Sequence, residues 1–237
     1  MSSVIIERSS AEDQRRPVFT GAGKWFAAAL LLFGSLLQMA EFLLVPANVE
    51  PAARVAYWAS NLTRVGVSMT VGLLAVPLLI GGFAVLVALT RGRSPRLAWT
   101  AGSLMILAMV GLAAIGGAEQ AAYWLTLGGD QQAAAKLLNA GDVGLPGAVL
   151  MVLFLGGAVL GSLTLAVAMW RSPYLPRIAA VGVVLFVVVD IAVGQPVIGH
   201  VISVIWSAIS AWAVLTGYVR HPRAGATGAA APYAVGQ

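Results

Sequence analysis

The chain has 237 residues, 59% of them hydrophobic and only 10% charged, and its mean hydropathy is +0.90. A soluble domain carries about 25% charged residues and could not hide this much apolar surface, so a water-soluble fold is excluded and a lipid bilayer is the expected solvent. The net charge of +5 sits in short basic clusters between apolar runs with no aromatic interleaving, which argues against nucleic-acid binding, and the absence of cysteine excludes disulfides, thiolate metal sites and cysteine nucleophiles.

In chain order, residues 1–23 are polar and contain no apolar h-region, so they read as a short cytoplasmic tail rather than a signal peptide. Six apolar runs follow, at about Trp25–Val45, Val65–Thr90 (interrupted by Pro77), Leu97–Leu125, Leu145–Trp170, Leu175–Gly194 and Val197–Val219. Each has about 20 residues or more, enough to span a ~30 Å hydrocarbon core at about 1.5 Å per residue. The predicted fold class is therefore all-α, a polytopic bundle of six transmembrane helices occupying residues 24–220. Between the first and second runs, residues 48–63 carry Val55, Tyr57, Trp58 and Leu62 beside Glu50, Arg54 and Asn61, the pattern of a short interfacial segment with an aromatic anchor. Residues 130–140 predict a small external helix with Asp130 as N-cap and Gly141 as its stop. Residues 221–237, rich in Ala and Gly, have the composition of a disordered tail.

Orientation follows from the placement of Lys and Arg in the flanks. One side collects Arg8, Arg15, Arg16, Lys24, Arg91, Arg93, Arg96, Arg171, Arg177, Arg220 and Arg223, and the other holds only Arg54, Arg64 and Lys136. Six spans keep this alternation at every loop and place both termini in the cytoplasm. Arginine dominates over lysine, and with the abundance of Ala, Val and Gly this points to a bacterial plasma membrane.

The stretch Trp170-Arg171-Ser172-Pro173-Tyr174-Leu175-Pro176-Arg177 resembles the basic turn of the bacterial six-helix family catalogued as domain of unknown function 4386. The resemblance covers roughly residues 22–195, though only this turn is specific to it. In that family a leucine-glycine pair usually follows the last arginine, where this chain has Ile178 and Ala179. The resemblance implies a fold and a location; it implies no activity.

Ionisable groups inside spans are expensive and point to function. Counted at about 1.5 Å per residue from the cytoplasmic basic residues, Glu41, Arg64, Glu119 and His200 fall near the outer edge of the core and Asp190 some two-thirds of the way across. Gln38 shares a face of the first span with Gly34 and Glu41; Gln120 and Tyr123 accompany Glu119; Asn61, Arg64, Ser68 and Gly72 line one face of the second span; His200, Ser203, Ser207 and Ser210 line one face of the sixth. Together Asp190, Glu41, Glu119, Arg64, His200, Gln38 and Gln120 are the candidate ligand-binding residues. They suggest an outward-opening pocket with Asp190 at its floor and a surplus of negative charge, suited to a small ligand or cation. The same groups can serve structure alone, as interfacial residues or ties between helices, and serine stripes commonly pack membrane helices. Gly157 and Gly161, in GxxxG spacing, offer a face for a homo-oligomer.

No cofactor or metal is expected. A bis-histidine haem lacks its second histidine, since His221 lies in the tail; neither an HExxH pattern nor a Walker lysine occurs; and no lysine sits in mid-span for a Schiff base. The leading expectation is a non-enzymatic carrier or ligand sensor. Two alternatives stand beside it: an accessory subunit of a membrane complex, and a membrane enzyme using Glu119, Asp190 and His200.

Overall fold

The computed structural model of the chain describes residues 18–45, 50–139 and 144–220, and every regular element among them is helical. In order these are α1 (Ala22–Leu44), α2 (Pro51–Ser60), α3 (Leu62–Thr90), α4 (Pro95–Leu127), α5 (Gln131–Leu138), α6 (Gly144–Arg171), α7 (Arg177–Val187), which runs on into a π-helical turn (Val188–Ala192), and α8 (Pro196–Thr216). Five of them, α1, α3, α4, α6 and α8, are long and apolar enough to cross a membrane.

Local chemistry explains the boundaries. Pro51, Pro95 and Pro196 open α2, α4 and α8 at the first helical position, where the missing N–H is no loss. Asp130 caps α5 as expected, its carboxylate accepting from the Ala133 amide at 2.9 Å; Gly141, the expected stop, lies outside the described residues. Gly217 ends α8 in the left-handed region (φ 63°), letting the Tyr218 amide reach the Ala213 carbonyl at 2.9 Å. Pro77 does not interrupt its helix, because α3 continues through it from residue 62 to 90.

The fifth apolar run departs from expectation. Instead of one span over residues 175–194, it forms 11 α-helical residues followed by a five-residue π turn. At about 1.5 Å per residue this is roughly 24 Å of helix, shorter than its neighbours. The widened turn places the Val193 amide on the Val188 carbonyl at 2.9 Å. Expectations for a cytoplasmic tail at residues 1–17, a disordered tail at 221–237 and the start of the external segment at 48–49 concern residues outside those described.

The long helices close a ring: α1 packs on α3, α3 on α4, α4 on α6, α6 on α7, α7 on α8, and α8 back on α1. Chain neighbours joined by short turns pack side by side, so the helices alternate in direction, and the basic turns at residues 91–96 and 171–177 share one end with Arg220. At the opposite end α2 and α5 pack on each other and on α4, burying Val55 and Trp58 with Val65, Ala122 and Ala134. Trp58 is thus a core residue of this cap rather than an anchor in the lipid interface, because the helix turns it towards α5 and α4. Exposed tryptophans stand at both ends of the bundle, Trp25, Trp99, Trp170 and Trp212 at the basic end and Trp124 at the capped end, as the two aromatic belts of a membrane span require.

Packing is inverted relative to a soluble protein. Buried positions are rich in Ala, Gly and Ser, while Leu74, Ile106, Val152, Leu160, Ile178 and Ile205 point outward. Lipid covers such a surface without cost, and small residues inside let helix backbones approach. Gly157 and Gly161 show this most clearly. A methyl group on Gly157 would lie 2.7 Å from the Leu104 carbonyl oxygen of α4, and one on Gly161 would lie 2.7 Å from the Met105 sulfur. The face they supply is occupied by α4 of the same chain. The 170–177 turn is equally structural: buried Ser172 donates to the Leu89 carbonyl at 2.7 Å, and Arg220 donates to the carbonyls of Trp170 and Leu175 at 3.1 and 2.5 Å.

Candidate functional site

The charged and carboxamide groups singled out in the sequence lie towards the capped end, while the serines of α8 run from there towards the basic end, and together they divide into three parts. Gln38 and Glu41 of α1, with Glu119 and Gln120 of α4, line one cleft of about 130 Å³. Its floor and walls are Gly72, Leu73, Val76 and Leu79 of α3 and Leu112, Ile115, Gly116 and Gly117 of α4. Two carboxylates and two carboxamides therefore face an otherwise apolar slot. The i, i+3 spacing of Gln38 and Glu41 puts both on the same side of α1, and α3 lies between the two helices that carry the carboxylates.

Glu41 owes its position to Gly72. Its carboxylate packs closely on the α-carbon there, so a side chain added at residue 72 would have to push it aside. Ser68, one turn earlier on α3, donates to the Glu41 carbonyl at 3.1 Å. Ser68 and Gly72, on a face expected to line a pocket, thus also dock α3 on α1. Arg64 itself reaches only the Leu43 carbonyl, at 3.4 Å, and stays exposed. The cation that meets a carboxylate is Arg54 of α2, which the sequence reading left outside the site: its guanidinium donates to Glu119 at 3.0 Å. With Glu119 so matched, Glu41 has no cationic partner among the described residues and lies within electrostatic reach of Glu119. The cleft thus holds one carboxyl group, that of Glu41, with no ion-pair partner among the described residues.

Asp190 and His200 do not line the cleft; they form a second group. His200 is 2% exposed. Its Nδ1 lies 2.7 Å from the Pro196 carbonyl oxygen and 3.4 Å from Asp190 Oδ1. The π turn carries Asp190 to α8, and Gly199 leaves room for it, since a methyl there would lie 2.6 Å from the aspartate Cβ. Phe42 stacks at 4.1 Å from the imidazole centroid and Phe186 stands edge-on at 5.9 Å. Phe42 follows Glu41 directly in α1, so the two groups adjoin along one short stretch of helix.

Beyond His200, a buried hydroxyl seam runs towards the basic end. Ser35 of α1 bonds Ser207 at 2.7 Å and accepts from Ser203 at 3.4 Å, while Ser210 donates to the Trp206 carbonyl at 2.9 Å. The serine stripe of α8 therefore ties α8 to α1. Its partner Ser35 carried no signal in the sequence, because a lone serine in an apolar run does not declare which helix it meets. No group of three or more metal-ligating side chains occurs among the described residues. Comparison with family models, curated proteins and solved structures returned no match.

Proposed function

We propose that the chain is a six-span protein of the bacterial plasma membrane, with both ends cytoplasmic, which binds a small organic cation in an outward-facing cleft between α1, α3 and α4. It acts as a carrier or a ligand sensor rather than as an enzyme. The observation that carries this reading is Glu41: a carboxylate seated on Gly72 in a largely apolar slot, with no counter-ion among the described residues. A charge in such surroundings is costly unless a partner of opposite sign is supplied. The amphipathic lining suits a ligand with an ammonium or guanidinium head and a short hydrocarbon tail: the carboxylates and carboxamides take the head, and Leu73, Val76, Leu79 and Ile115 take the tail. Arg54, on the capping helix, neutralises Glu119 and leaves Glu41 as the principal anchor. The likeness of the 170–177 turn to a six-helix bacterial family bears on fold and location only.

Ethylammonium is the simplest probe. Calorimetry on the protein in lipid nanodiscs is expected to detect its binding, with 1-propanol, a neutral molecule of similar size, giving none. Glu41→Gln should weaken binding at least about tenfold, the loss of roughly 1.4 kcal/mol or more expected for a charge-assisted contact. Equal heats from the variant and the parent, or from ethylammonium and propanol, would refute the reading. The accessory-subunit reading is favoured by the Arg54–Glu119 tie and the Ser35–Ser207 seam, which serve packing by themselves; it predicts no binding by the isolated chain.

A further inference from the structure

The described acidic residues, Glu41, Glu50, Glu119, Asp130 and Asp190, all lie towards the capped end, so the basic end presents cations with no carboxylate among the described residues. Arg91, Arg93 and Arg96 sit in or beside the turn between α3 and α4, and Arg171 and Arg177 flank the turn between α6 and α7. All five are exposed, and none makes an ion pair among the described residues. The two turns are fastened together. Buried Ser172 of the second donates to the Leu89 carbonyl beside the first at 2.7 Å, and its hydroxyl accepts from the Tyr174 amide at 3.2 Å. Arg220 braces the second turn through the carbonyls of Trp170 and Leu175, and Pro95, Pro173 and Pro176 stiffen both. The antiparallel contact of α6 with α4 agrees: Gly161 meets Leu104 and Met105, and the same register carried to the basic end sets Arg171 level with Pro95 and Arg96. Orientation in a membrane requires only positive charge in such loops. It does not require the loops to be joined and rigid.

We propose that the joined turns form a binding site for an anionic phospholipid of the surrounding leaflet, with its phosphate among these five arginines and its acyl chains along α4, α6 and α7. Guanidinium groups match phosphate oxygens in charge and in paired hydrogen-bond geometry. Two features select a lipid over a soluble phosphate. Exposed Trp99 and Trp170 stand within one turn of Arg96 and Arg171, and indole rings settle at headgroup level; Arg177 lies over the Trp170 ring, 5.0 Å from its centroid, so a guanidinium is held at that depth. Beside them the helix surface is hydrocarbon, with Val167 and Ile178 exposed. The complement of such a surface is a negative head carried on apolar chains. A zwitterionic phospholipid brings the same phosphate with an ammonium group attached, which the arginines repel. The site needs the bundle to lie in a membrane, but it stands at the opposite end from the cleft and does not depend on what the cleft holds.

The test places the full chain in nanodiscs with equal amounts of phosphatidylglycerol and phosphatidylcholine of the same acyl chains, and counts by native mass spectrometry the lipids that stay on the released protein. Phosphatidylglycerol should be retained over phosphatidylcholine on the order of tenfold or more at low salt, and the ratio should fall at high salt, which screens exposed charges. Arg93→Gln and Arg171→Gln should each lower the ratio about fivefold, and together bring it close to parity. Both side chains are exposed, so the variants should melt like the parent. Lys136→Gln, which removes an exposed cation from the capped end, should leave the ratio unchanged. Glycerol phosphate in large excess should not displace the lipid. Equal retention of the two lipids by the parent, or an undiminished preference in the folded double variant, overturns the site. So does an effect of Lys136→Gln as large as that of Arg171→Gln, which would make net charge the cause, and so does displacement by glycerol phosphate, which would assign the arginines to a soluble phosphate.

Discussion

Gly157→Leu is expected to leave little or no folded protein. A first carbon at this position would already lie 2.7 Å from the Leu104 carbonyl oxygen and 2.9 Å from the Ala108 amide nitrogen, both backbone atoms that no rotamer change can move aside. The α4–α6 contact is the most extensive in the bundle, and Gly111 meets the backbone of α6 from the other side, with the Phe154 amide 2.8 Å from where its methyl would be. Forcing the helices apart removes dispersion contacts along both. Gly157→Ala alone should cost about 1–3 kcal/mol by overpacking. The leucine variant, with three more carbons in the same gap, should cost enough to exceed the stability of a typical domain of about 5–15 kcal/mol. Thermal unfolding in detergent, with size-exclusion profiles, measures both. A leucine variant that melts like the parent would mean that α4 and α6 are not in this contact.

Gly116→Leu should do the opposite: leave the bundle intact and abolish ethylammonium binding, by a hundredfold or more. Gly116 lines the cleft, and a carbon added there meets nothing within 4 Å. The new side chain has space to enter, and a mid-helix glycine replaced by leucine gains helix propensity of roughly 0.5–1 kcal/mol. That space is the ligand's. A leucine side chain occupies a large part of a cleft of about 130 Å³ and sets hydrocarbon against the Glu41 and Glu119 carboxylates, so the ethyl group and its counter-charge are displaced together. The pair of variants separates two uses of glycine in one bundle, close approach of helices at residue 157 and an open volume at residue 116. Unchanged binding by a well-folded Gly116→Leu protein would place the ligand elsewhere.

How much of this was legible in the sequence depends on how local each signal is. The long spans were readable to within a few residues because hydrocarbon solubility acts on every side chain in a run, and the cap of α5 was readable because Asp130 bonds an amide three residues away. The break in the fifth run was not, since one aspartate among Val188, Val189, Ile191 and Ala192 is equally compatible with a straight helix, and the π turn is seen only where Asp190 meets α8. Likewise Gln38, Glu41, Glu119 and Gln120 could be gathered from depth and helical phase, which place them at one end, and the structure unites them in one cleft. Depth cannot tell which helices are neighbours. Asp190 of the π turn and His200 of α8 meet each other rather than the cleft, and Arg64 faces the end of α1 while Arg54 of the capping helix takes Glu119. The Gly157/Gly161 face was recognised as a packing surface, but GxxxG spacing does not say whether the partner is another chain or, as here, α4.

The most direct test of the account is the side of the membrane on which each end of the bundle lies. The chain has no cysteine, so single substitutions can be read without background. Gln131→Cys on the capping helix α5 and Gly92→Cys in the basic turn after α3 are both exposed and lie at opposite ends. With a membrane-impermeant maleimide on intact cells, the Gln131→Cys chain should be labelled and the Gly92→Cys chain should react only after the cells are opened. Labelling of both from outside, or the reverse pattern, would contradict an outward-facing carboxylate cleft in a membrane-spanning bundle.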